Sequence, residues 1–160
     1  MRLFLISFLA LFLCGCSKGN KDFTGHCASL SQDVLPPGDP ARIYIASAFT
    51  PNGDGINDYF RPQLNSIVSL EMKIYDKAGN NIYQTTVAEW LPLFAPKGAE
   101  LYYYRIEALT ASGKRVGQCG EVYALECLPR GRGLGSYTFE DQLTPSGFTG
   151  VTAEVISNCP

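Results

Sequence analysis

The run FTPNGDGINDYF at residues 49–60 constrains this chain more than any other stretch. It sets Pro51, Gly53 and Gly55 among Asn52, Asp54, Asn57 and Asp58, with Phe49 and Phe60 at its ends. No helix accommodates it. Proline fixes one φ, the glycines admit positive φ, and Asn and Asp side chains bond nearby backbone amides. Just before it, Ile43, Ile45 and Phe49 share one parity, which predicts a strand leading into a structured loop. Elsewhere Thr, Tyr, Val and Ile fill short runs parted by Gly, Pro and Asn. No amphipathic helical period and no internal repeat stands out, so the chain reads as all-β.

Within residues 67–75, Val68, Leu70, Met72 and Ile74 share a parity and are expected to face the core. Ser69, Glu71, Lys73 and Tyr75 are expected to face out or towards a rim. A turn at Lys77-Ala78-Gly79 and a strand at 81–85 follow. In the Tyr-rich run, Tyr102, Tyr104, Ile106 and Ala108 are expected inside, and Tyr103, Arg105 and Glu107 outside. Residues 110–114 (TASGK) suit a hairpin turn, and 120–125 (GEVYAL) a last strand. Taken in order, these segments and the 49–60 run resemble the gliding-motility-associated C-terminal domain, the type B sorting domain of type IX secretion. The resemblance covers residues 42–125. Its signature loop falls on Phe49, Pro51, Asn52, Gly53, Asp54, Gly55, Asn57 and Asp58. The family's Arg-Trp-Gly turn is Lys77-Ala78-Gly79 here, and Leu91-Pro92 follow Trp90 in place of Asp-Gly. The expected fold is one immunoglobulin-like antiparallel β-sandwich of about seven strands.

The N-terminus carries a separate signal. Arg2 precedes an apolar run at 3–13 broken only by Ser7, too short to span a bilayer and suited to a signal-peptide core. Leu13-Cys14-Gly15-Cys16 resembles a bacterial lipobox, with cleavage after Gly15 leaving Cys16 to carry lipid. The expected organisation is therefore a signal peptide at 1–15, a lipidated Cys16 and spacer at 16–40, the sandwich at 41–127, and an extension packed on it at 128–160. Polar residues 17–22 suit a tether, and the Pro-rich 33–40 suits irregular chain. In the extension, apolar groupings fall at Phe139, Phe148 and 151–156.

Leaving aside Cys14 and Cys16, four of the six cysteines remain: Cys27, Cys119, Cys127 and Cys159. An even number in an exported chain reads as two disulfides, and four cysteines allow three pairings. Joining Cys127 to Cys159 would pin the tail to the last family strand, and Cys27 to Cys119 would then pin the spacer; this pairing is favoured. A zinc site at His26 and Cys27 lacks the close Cys-x-x-Cys spacing that such sites prefer.

Composition argues against several functions. With 13 Lys+Arg against 15 Asp+Glu, the net charge is −2, and nothing makes an electrostatic case for nucleic acid. His26 is the single histidine and no serine lies in a nucleophile elbow, so no catalytic residue is assigned and a non-enzyme is expected. Residues 131–135 (GRGLG) lack the Lys-Ser/Thr of a phosphate loop. Two accounts fit the 52–58 loop. Asn52, Asp54 and Asp58 are spaced like part of a calcium loop, but Thr50 stands where the first acid belongs and Arg61 where the bidentate Glu belongs. Asx bonds to the backbone close such a loop with no metal or other cofactor, and this account is favoured.

The reading is a non-catalytic, membrane-anchored surface lipoprotein, lipid-anchored on the periplasmic or the cell-surface face of the outer membrane. Its sandwich would serve protein–protein contact linked to type IX secretion, gliding or the cell envelope. The alternative is a glycan-binding module or adhesin. An exposed aromatic face would favour glycan, whereas an apolar patch or a free strand edge would favour a protein partner.

Overall fold

The structure is a computed structural model that describes residues 23–160. In chain order it contains helix α1 (Thr24–Ala28) and strands β1 (Arg42–Tyr44), β2 (Ala48–Phe49), β3 (Gln63–Asn65), β4 (Ile67–Tyr75), β5 (Asn81–Thr85), β6 (Ala99–Thr110), β7 (Arg115–Leu125), β8 (Leu143–Thr144) and β9 (Gly147–Phe148). The expected signal peptide, Cys14, Cys16 and the 17–22 tether lie outside the described residues.

The long β6–β7 hairpin organises the fold. Its residues alternate in polarity and pair from Ala99↔Leu125 to Leu109↔Arg115. The turn needs Gly113, at φ +74°, a value that a side chain disfavours. β4 adds antiparallel to β6, β5 antiparallel to β4, and β2 parallel to β7, giving the order β2-β7-β6-β4-β5. The run at 42–49 is not one strand. β1 pairs with β3 in a separate two-stranded sheet, and after a break at 45–47 the chain joins the main sheet as β2.

The main core forms on one face of the five-stranded sheet. Phe49, Phe60, Leu70, Met72, Ile74, Trp90, Tyr104, Ile106 and Val122 are buried together, and Ile43, Ile45 and Leu64 close over them from the β1–β3 side. The expected inward set on β6 is observed: Tyr104, Ile106 and Ala108 are buried and Tyr102 is half-buried. Each fully buried large side chain contributes about 1.5–3 kcal/mol.

Two residues of β4 differ in burial from the expectation, only one of them by parity. Val68 is 63% exposed, because the ladder to β6 shifts register between Ile67 and Ser69 and Ile67 packs against the core instead. Tyr75 points to the outer face but is buried, covered by the N-terminal segment.

That segment, expected as a spacer, lies on the outer face from residue 23 onward. Phe23 stacks on Tyr103 at 4.3 Å and His26 lies 4.5 Å from Tyr75. Arg105 donates to the carbonyl of His26 and, at 2.6 Å, to Ser29 Oγ at the end of α1, while pairing with Glu107 at 2.8 Å. Cys27 is bonded to Cys119. Further on, Gln32 donates to the Gly117 carbonyl at 2.7 Å, and the Asp33 and Asp39 carboxylates accept from the Arg115 amide and the Ser112 hydroxyl. Gly117 leaves room for this strap: a Cβ there would sit 2.7 Å from Leu30.

The extension closes the β2 edge. Thr138 O accepts from the amides of Ser47 and Ala48 at 2.9 and 3.1 Å, and Ser47 Oγ accepts from the Thr138 amide, so the outer edge of β2 is occupied. Leu125, Leu128, Tyr137 and Phe139 form a second buried cluster with Ala48. Cys127 is bonded to Cys159, and Leu128 pairs with Asn158 beside it. Of the apolar groupings expected to pack, Phe139 does so fully, whereas Phe148, Val151 and Val155 are 63%, 75% and 88% exposed.

Candidate functional site

The 49–60 loop leaves the main sheet at Phe49, and both of its ends are fixed. Phe49 ends β2 and Phe60 pairs with Trp90; Phe49 and Phe60 are fully buried, and Trp90 packs edge-on to Phe49 at 5.6 Å. Between them the Asx side chains close the loop. Asn52 Oδ1 accepts from the Asp54 amide at 2.9 Å, and Asp54 Oδ1 from the Ile56 amide at 2.8 Å. Asp58 spans the loop, accepting from the Gly53 amide at 2.6 Å and the Gly55 amide at 2.8 Å. Gly53 and Gly55 have φ of +80° and +89°, and Asn57, at +52°, is one of two described non-glycine residues at positive φ. Asn tolerates that region better than most residues.

Asn57 does not close the loop with its side chain. It turns inward and clasps the C-terminal extension: its Oδ1 accepts from the Asp141 amide at 3.0 Å, and its Nδ2 donates to Glu154 Oε2 at 3.1 Å. Thr50, fully buried, donates to the same Glu154 oxygen at 2.5 Å. Asp141 in turn accepts from the Ala153 amide at 2.6 Å, which fixes the backbone beside Glu154. No sequence signal points to Glu154, since it stands within an apolar grouping and its partners lie about a hundred positions earlier.

Beside this clasp is a polar cavity of about 430 Å³, lined in part by Asp58, Arg61, Gln63, Glu140 and Asp141. Arg61 spans it, bonding Glu89 at 2.6 Å and Glu140 at 3.0 Å. The Glu89 bond, then the Glu140 bond, outweigh partial burial and raise the Arg61 pKa. Arg61 is thus a structural cross-link between the loop's exit and the extension, where the calcium-loop comparison would place a ligand.

For cation chemistry, all four carboxylate oxygens of Asp54 and Asp58 already have a partner within the loop, Asn52 Nδ2 donating to Asp54 Oδ2 at 2.9 Å. Among the described residues no group of three or more His, Cys, Asp and Glu side chains could hold a metal ion. His26 sits on the outer face against Tyr75, with the sheet between it and the signature loop. No helix among the described residues is long and apolar enough to cross a membrane.

The fold is thus an all-β domain of sandwich type, with a signature Asx loop at the start of its core and two disulfides. Residues 43–123, half of the chain, match the CHU_C Type IX secretion signal domain, and the chain belongs to that family. No curated protein and no solved structure shows significant similarity to it. Membership links the protein to type IX secretion and to the cell envelope or surface.

Proposed function

We propose that the protein is a non-catalytic lipoprotein, held on the outer membrane through acylated Cys16, whose sandwich makes protein–protein contacts in type IX secretion, gliding or the envelope. The observation that carries this reading is a free sheet edge. β2 is covered by Thr138, but among the described residues no strand pairs with the outer edge of β5, and exposed apolar residues stand beside it. A free edge with apolar neighbours suits a protein partner. The glycan alternative draws no support from the outward Tyr103, which is stacked under Phe23. Two acyl chains on one cysteine suffice for stable attachment. The signature loop is bonded to itself and to the extension, which suits a rigid platform without cofactor.

The test combines mass spectrometry of the mature N-terminus with cross-linking of intact cells and affinity capture. A diacyl or triacyl group on Cys16, loss of membrane attachment in Cys16→Ser and recovery of envelope proteins are expected. An unmodified soluble chain beginning at Cys16 would refute the anchor. Capture of no protein, with retention on a glycan array, would refute the interaction role in favour of the adhesin.

A further inference from the structure

The free edge of β5 does not stand alone. Ile82 and Tyr83, on that strand, line an apolar groove of about 460 Å³ together with the buried Trp90, the half-buried Tyr102 and the exposed Leu93 and Phe94. Leu93 and Phe94 are 94% and 83% exposed, and Ile82 and Tyr83 about half as much, at 46% and 40%. The strand itself, NIYQT, contains no charge and no proline, the usual devices that keep an edge from pairing. Main-chain donors and acceptors therefore run alongside a concave apolar surface.

Charges of both signs line the groove, with Glu100 as well as Lys97 in its lining. Lys77 joins Lys97 in the adjoining concavity. Among the described residues neither ammonium lies within ion-pair distance of a carboxylate. The nearby acids are occupied: Glu100 accepts from the Tyr102 hydroxyl at 2.7 Å and the Lys97 amide at 3.2 Å, and Asp76 accepts from Asn80 and the Ala78 amide.

We propose that β5 and this groove bind an extended peptide segment of a partner protein, which adds as a sixth strand beside residues 81–85. Its alternate apolar side chains fill the groove lined by Tyr83, Leu93 and Phe94, and an acidic residue at one end meets Lys97. Main-chain bonds supply affinity and the groove supplies specificity, as in strand addition generally. About five residues, or roughly 17 Å of strand, match the edge. A lipid surface fits less well, because acyl chains cannot satisfy the amides and carbonyls of an open edge. The proposal names the surface and ligand class of the interaction role argued above and rests on it.

The test pans a randomised heptapeptide phage library on the purified protein and on two variants. Leu93→Asp changes a side chain with almost no contacts, and Lys97→Glu reverses one exposed charge, so both should fold. Enrichment of alternating apolar heptapeptides ending on Asp or Glu is expected. Their synthetic forms should slow amide exchange at residues 81–85 and bind Leu93→Asp at least tenfold more weakly. Lys97→Glu should reverse the preference, to peptides ending on Lys or Arg. No enrichment, or enrichment indifferent to both substitutions, would overturn the proposal. So would Leu93-dependent flotation with phosphatidylcholine–phosphatidylglycerol vesicles without peptide binding, or a concentration-dependent dimer abolished by Leu93→Asp. In cells, partners still captured by Leu93→Asp would leave the interaction role standing and remove this surface; capture of none by the unaltered protein would remove both.

Discussion

The Thr50 hydroxyl donates to Glu154 at 2.5 Å across 104 residues of sequence. Asn57 shares the same oxygen, so one carboxylate joins both ends of the family's signature loop to the far end of the chain. The loop's shape and the extension's position are thereby a single structural fact.

Removing that carboxylate should be costly. Glu154→Ala leaves the buried Asn57 amide without its acceptor and Thr50 with only a 3.3 Å bond to the Ile56 carbonyl. A loss of about 2–3 kcal/mol is expected, as for buried hydrogen bonds to a charged group. Urea denaturation of Glu154→Ala beside Val155→Ala, an 88%-exposed neighbour, measures it. Equal midpoints would show that the clasp contributes nothing.

Gly55→Val should cost more than the roughly 1 kcal/mol associated with glycine entropy. A Cβ at Gly55 meets nothing within 4 Å, so the penalty arises from φ +89° alone and not from a clash. Gly55→Asn should recover part of it, since Asn tolerates positive φ. Gly133 also has open space around it but no positive φ, and Gly133→Val, measured by the same thermal melt, should be nearly silent.

Calcium should leave the melting temperature unchanged. Asp54 and Asp58 have their four oxygens engaged by loop donors, and a cation would have to displace those bonds. Scanning calorimetry with millimolar calcium and then with chelator checks this. A rise of several degrees with calcium, reversed by chelation, would restore the calcium-loop account.

Acid should loosen the outer strap before the sheet. The Asp33 carboxyl is held below its ordinary 3.8, first by the Arg115 amide, and that of Asp39 first by the Ser112 hydroxyl. A lowered folded pKa means that these bonds contribute fully above the unfolded value, about 3.9. Their contribution is lost as pH falls through the lower folded values. Hydrogen exchange at the Ala41 and Arg115 amides should therefore accelerate below about pH 4, while amides at the centre of β6 stay protected. Simultaneous exposure of strap and sheet would show that the two are one cooperative unit.

Much of this fold was legible because its central strands are long. Over β4, β6 and β7, alternation repeats often enough to fix which side chains point inward, and Met72, Ile74, Tyr104 and Ile106 lie where their parity places them. β2 has two residues, too few for any period, and its parallel partner β7 is specified only by tertiary packing. Val68 obeyed the alternation and was still misplaced, because a register shift cancels the count on which parity depends. Tyr75 was read as outward, and it is; what the sequence did not disclose is that Phe23 would cover it. The signature loop's Asx bonds are local and could be anticipated. Glu154 could not, because its role exists only once the chain has returned to residue 50.

The cap on β2 has a consequence for timing. Thr138 covers an edge formed ninety residues earlier, and Cys159, bonded to Cys127, locks the extension. A chain emerging from ribosome or export pore, amino end first, completes its hairpin of β6 and β7 while both borders of the sheet are still open. For that interval it can pair with neighbours at either side. The arrival of residues 138–159 removes one of those options and leaves the β5 border, which no described strand pairs with and which is proposed above for recognition, without such a cap.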